Sequence, residues 1–123
     1  MNVKATVILL LLDALWIGLY MGGKYHTMIP RIQRTKMLVN PLYVLLSYML
    51  MVIGLNIFVM PNIRNNNRLK DSIIYGFLFG IVLYGVYDFT AAAVLKNWDT
   101  VLALQDILWG GTVFFLSAYY GSK

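Results

Sequence analysis

The chain has 123 residues, of which 60% are hydrophobic and only 12% charged, with no Cys and a formal net charge of +5. A soluble domain carries about a quarter charged residues, so the lipid bilayer is the expected solvent. The missing Cys excludes disulfides and thiolate metal or nucleophile sites. The positive charge is no nucleic-acid signature, because Lys and Arg fall between apolar runs, where they meet lipid headgroups.

The expected fold is all-α: an integral membrane four-helix bundle, one domain over residues 1–123, with a short interfacial helix between spans one and two. The first apolar run follows Lys4 and covers about 5–22. Asp13 breaks its centre and no small-residue cleavage pattern follows, so it reads as a retained span rather than a signal peptide. Its length, about 27 Å as a helix, suits a slightly thin hydrocarbon core. Gly18 and Gly22 form a small-xxx-small pair that would admit a neighbouring helix.

Between 23 and 40 the chain is basic, and Pro30 fits the first turn of an interfacial helix whose Ile29, Ile32 and Val39 share a face. Asn40 and Pro41 read as the N-cap and first residue of the second span, about 41–60, which Pro61 stops. Asn65, Asn66 and Asn67 mark a turn, and Asp71 is placed to cap a third span over about 72–95, which carries Gly76-x-x-x-Gly80. After a turn at 96–99, Asp99 or Thr100 caps a fourth span over about 100–120. No run alternates with period two, which argues against a β-barrel. Tyr25, Tyr43, Tyr75, Trp98, Tyr119 and Tyr120 fall at span ends and fit aromatic belts.

Every acidic residue is Asp, and Asp13, Asp88 and Asp106 interrupt apolar runs. Four spans place both chain ends on one side, face A, and the first and third connections on the other, face B. Counted along ideal helices, Asp88 and Asp106 lie roughly 9 to 11 Å below face B, Asp13 about 14 Å below it, and Ser47 and Tyr48 about 8 to 9 Å below it. Helical spacing puts Trp16 and Tyr20 on the face of Asp13, Tyr84 on that of Asp88, and Trp109 and Gly110 on that of Asp106. The candidate polar site is therefore Asp13, Asp88, Asp106, Trp16, Trp109, Tyr87, Tyr84, Thr90, Ser47 and Tyr48. A mid-helix Asp costs about 2.5 to 3.5 kcal/mol on insertion, which points these side chains into the bundle. Polar pairs in membranes return only ~1 kcal/mol, so packing alone is a weak reason for three carboxyls. Converging carboxyls would titrate as a set, and such a layer suits a proton relay or the binding of a headgroup, a cation or another small ligand.

His26, Lys24, Arg31, Arg34, Lys36 and Lys96 form the headgroup-facing set at face B, with His26 the best candidate for a general base near a headgroup. The five Lys and Arg of face A (Lys4, Arg64, Arg68, Lys70, Lys123) balance the five of face B, so the positive-inside rule does not choose an orientation. No metal is expected, because the carboxylates are single and no Asp-x-x-Asp pair occurs, and no cofactor is called for.

The motifs Leu12-Asp13-Ala14-Leu15-Trp16-Ile17-Gly18, Tyr87-Asp88-Phe89-Thr90, Trp98 and Asp106-Ile107-Leu108-Trp109-Gly110 resemble domain-of-unknown-function family 2177. Its members are small predicted membrane proteins of bacteria and large DNA viruses. The resemblance covers nearly the whole chain and implies four spans, with no activity attached. Ala91 departs from it, since similar sequences often carry Asn after the Thr. Three classes of function fit these readings. One is a membrane-embedded polar site, enzymatic or transporting. Another is a structural membrane protein, for example a viral inner-membrane component that partners capsid proteins. The third is a small proton-coupled transporter resembling the small multidrug-resistance group, in which Asp13 matches the position of an acidic residue that is usually Glu. The expected partners are the lipid bilayer and, beyond it, a homo-oligomer or capsid proteins, with no nucleic acid; the virion inner membrane is one expected location.

Overall fold

A computed structural model describes residues 2–33, 41–95 and 98–123, with backbone alone at 22, 26 and 31–33. Among the described residues the chain is helical with no strand. Four helical stretches are long and apolar enough to cross a membrane: Val3–Met21, Pro41–Asn62, Asn65–Val94 and Thr100–Gly121.

The first comprises α1 (Val3–Trp16) and a π-helical stretch (Ile17–Met21), and it continues without a break into α2 (Gly22–Gln33). Asn2 starts it, its side chain accepting from the Ala5 N–H at 2.9 Å. The described part of the helix expected between spans one and two is thus an extension of span one, and Pro30 lies inside it rather than in a first turn. Gly22 and Gly23 do not break it, although each Gly costs about 1 kcal/mol in a helix. Packing decides: Met21 and Met28 are buried against Trp98, Leu102 and Ala103.

The second span begins at Pro41 with α3 (Pro41–Gly54) and ends in a π-helical stretch (Leu55–Val59) and a 3₁₀ turn (Met60–Asn62) that accommodates Pro61. The third starts earlier than its apolar pattern indicates, in a 3₁₀ turn (Asn65–Asn67), α4 (Arg68–Asp71) and a π-helical stretch (Ser72–Phe77), then continues as α5 (Leu78–Val94). Asp71 is therefore not a cap. Its buried carboxylate accepts from the Arg64 backbone N–H at 2.9 Å, from Nε at 3.0 Å and from Nη2 at 3.2 Å, closing the loop between spans two and three. The fourth span is α6 (Thr100–Gly121), capped by Asp99, whose Oδ1 accepts from the Leu102 N–H at 3.0 Å.

The fourth span is the hub. Its most apolar stretch is 56% buried, against 22%, 17% and 22% for the other three. The third span crosses it closely through Gly76 and Gly80. A Cβ at Gly76 would sit 2.9 Å from the Phe114 carbonyl oxygen, and one at Gly80 would overlap the Gly110 carbonyl. This is the small-xxx-small packing the spacing predicts. Gly18 does not act so, since a Cβ there meets nothing within 4 Å. The first span also packs along α6, where Ala5 meets Gly121 and Leu9 joins Val113, Phe114 and Ala118 in the core.

The second span is attached mainly by its face A half. Gly54, Leu55 and Val59 are buried, whereas Leu42, Tyr43, Val44, Leu45, Leu46, Met49 and Leu50 are exposed. A polar clasp holds that end: the Asn2 N–H donates to Asn56 Oδ1 at 2.6 Å, Asn56 Nδ2 to Thr6 Oγ1 at 3.0 Å, and Asn2 Nδ2 to the Gly121 carbonyl at 3.0 Å. Toward face B the second span therefore leaves a cleft between itself and the rest of the bundle.

Candidate functional site

The cleft is partly open and encloses about 500 Å³. Ile17, Met21, Val44, Leu50, Met51 and Leu83 give it apolar walls, while Asp13, Asp106, Ser47, Tyr48, Tyr84 and Tyr87 bring polar atoms, with Trp16 and Tyr25 among the lining rings. All four spans contribute. The π-helical stretch of the first span supplies Ile17 and Met21 directly; the wider turn alters the angular register of the residues that follow it.

The three carboxyls divide into a single and a pair. Asp13 is 4% exposed, and its Oδ1 accepts from the Tyr84 hydroxyl at 2.8 Å and from Trp109 Nε1 at 3.2 Å. Tyr48 neighbours the same carboxyl. Trp109 in turn stacks on Trp16, centroids 4.9 Å apart and planes 11° from parallel. The partners of Asp13 on the third and fourth spans lie about one turn deeper than Asp88 and Asp106, in keeping with the greater depth counted for it.

Asp88 is fully buried, and neither of its carboxyl oxygens has a hydrogen-bond partner. Asp106, 7% exposed, and Trp98 are its polar neighbours, near enough to interact without hydrogen-bond geometry. Trp16 Nε1 likewise lies beside Asp106 yet is buried and unpartnered. Asp106 lines the cleft and Asp88 stands behind it. Among the described residues no three side chains are grouped to hold a metal ion, so the carboxyls do not converge on one point.

Two site residues lay outside the sequence expectation. Tyr25, assigned to an aromatic belt, lines the cleft, and Trp98, assigned to the same belt, is buried with its ring 6.0 Å from that of Tyr25 and 6.2 Å from that of Tyr87. Burial first, and the Asp106 carboxylate second, push the Tyr25 phenol up, so it stays a neutral donor. The sequence signal for both was available only if the first helix ran past Gly22. Thr90 is exposed and is not among the lining residues, and Tyr20 turns away to donate to Gln105 Oε1 at 2.7 Å. Ser47 is exposed yet borders the cleft.

Of the headgroup-facing set, Lys24 is exposed with Nζ 5.5 Å above the Tyr20 ring. The side chains of His26 and Arg31, and the whole of Arg34, Lys36 and Lys96, lie outside the described residues, as does Asn40.

The family model for DUF2177, described as a predicted membrane protein, matches residues 1–122. The chain belongs to this family. Four helices able to span a bilayer agree with the description and make this DUF2177 protein a multi-pass membrane protein. No curated protein and no solved structure matches it.

Proposed function

We propose that this DUF2177 protein is a membrane-embedded binding protein whose aspartates hold the polar end of a small amphiphile that enters the cleft from the bilayer. The observation that carries the reading is the wall composition: Asp13 and Asp106, from different spans, border one cleft of about 500 Å³ whose remaining surface is largely apolar and aromatic. Ligand sites have this character, a mainly apolar cavity of about 300 to 1,000 Å³ with a few convergent polar groups. Intramembrane carboxyls are costly, and packing explains Asp13 better than the other two. Asp13 has two donors; Asp88 has none, and the indole N–H beside Asp106 is unused. Polar groups buried without partners are rare in a finished fold, and a ligand or water would satisfy them.

The test is recovery of bound amphiphiles. Protein extracted from membranes and reconstituted in lipid discs is analysed by native mass spectrometry, beside Val44→Phe/Leu83→Phe, which fills the cleft. Additional bound mass of amphiphile size is expected on the wild type and is expected to fall at least about tenfold in the filled variant. Equal bound mass on both proteins, with helicity unchanged, overturns the proposal.

A further inference from the structure

Among the described residues the cleft wall carries carboxyls and no Lys or Arg. Asp13 and Asp106 border it with Asp88 directly behind. Lys24 is engaged over Tyr20, away from the lining. Two carboxyls side by side in a buried place cannot both carry charge without a cation between or beside them. The rings of Trp16, Tyr25, Tyr84 and Tyr87 border the same space, and aromatic faces attract ammonium groups by about 0.5 to 2 kcal/mol, most strongly when water is excluded. A phosphate or carboxylate headgroup would meet the carboxyls of Asp13 and Asp106 with no Lys or Arg among the described lining residues.

We infer that the ligand is a monocationic amphiphile, an ammonium group on an apolar chain, and that it exchanges with a proton held between the neighbouring carboxyls of Asp88 and Asp106. The inference rests on the cleft being an amphiphile site as proposed above. The ammonium lies against Asp13 and Asp106, with the Trp16 and Tyr87 rings beside it, and its chain follows Ile17, Val44 and Leu83 toward the lipid. Binding a cation releases a proton, so acid weakens binding. The carboxyls that face this position are Asp13 and Asp106, with Asp88 behind Asp106, and Tyr25, Tyr48, Tyr84 and Tyr87 are the other titratable neighbours.

Quenching of the Trp16 and Trp109 fluorescence separates the possibilities. The protein in phosphatidylcholine discs is titrated with three probes of equal length: 11-bromoundecyl-trimethylammonium, 11-bromoundecanol and 11-bromoundecanoate. Saturable quenching by the ammonium is expected at least about tenfold below the concentration the alcohol needs. It is expected to weaken as pH is lowered, a change the alcohol does not share. Asp13→Asn/Asp106→Asn is expected to erase the difference between ammonium and alcohol. Should the variant fail to fold, the pH response of the ammonium on the wild type, absent for the alcohol, decides the matter. Equal saturable quenching by ammonium and alcohol at all pH values overturns the cation inference while leaving an amphiphile site. Quenching that never saturates for any probe, or that persists in Val44→Phe/Leu83→Phe, overturns both.

Discussion

Replacing Gly80 by Ala tests the helix crossing on which the site depends. A Cβ at Gly80 would overlap the carbonyl of Gly110 and sit 2.8 Å from Gly111 Cα. Carbon atoms rest at about 3.5 to 4.0 Å, so the third and fourth spans must part by roughly an ångström. Both opposing groups are backbone, which cannot rotate away, and overpacking of this kind costs about 1 to 3 kcal/mol. Ala also gains up to about 1 kcal/mol over Gly in a helix. With the full helical gain the net expectation is a loss of about 0 to 2 kcal/mol. Gly18→Ala supplies the matched control, because its Cβ meets nothing within 4 Å and the helical gain stands alone. The two variants should therefore differ by the overpacking cost alone, about 1 to 3 kcal/mol in unfolding free energy, measured in mixed micelles with increasing denaturing detergent. Gly80→Ala as stable as Gly18→Ala would refute the close crossing. Because Tyr84 and Asp88 follow Gly80 on the third span, the same shift would draw them from Asp13 and Asp106, and the cleft should bind less as well.

Two further predictions concern single contacts. Tyr84→Phe removes one of two donors to Asp13 Oδ1 and should cost about 0.6 kcal/mol, at most about 1.7; since both donors meet one oxygen, the loss in Tyr84→Phe/Trp109→Phe should depart from the sum of the singles. Micelle unfolding curves check both statements, and an unchanged single variant counts against the bond. Asp99→Ala deletes the cap of α6 and should cost about 1 kcal/mol, with faster amide hydrogen exchange at Leu102, whereas Asp99→Ser should retain most of the protection.

Much of the architecture lies in composition and punctuation. Apolar runs of membrane length separated by Lys, Arg and Asn specify four crossings, and Asp99 caps the fourth. These are local facts, set by backbone chemistry and by the cost of polar groups in lipid. The spacing of Gly76 and Gly80 also announced a close crossing, whereas the similar pair at Gly18 and Gly22 did not produce one at Gly18. Nothing in a four-residue interval says which partner helix will be there. The same limit explains Asp71, which reads as a cap until Arg64 is brought beside it by the loop.

The interruptions of the apolar runs marked the carboxyls that the bundle receives, because an isolated Asp is tolerated in a membrane only where protein surrounds it. What sequence periodicity did not contain is how those carboxyls are divided. The Asp13 oxygen that takes both Tyr84 and Trp109, and the Asp88 carboxyl left without a partner behind Asp106, depend on which faces of three helices meet. Tyr25 and Trp98 joined the site only because packing of Met21 and Met28 carried the first helix through two glycines. The sequence by itself determined a membrane protein of four spans with buried acid groups, since hydropathy and charge are properties of residues one at a time. The cleft belongs to tertiary structure alone: it exists because the second span is held at its face A end and stands away from the bundle at the other.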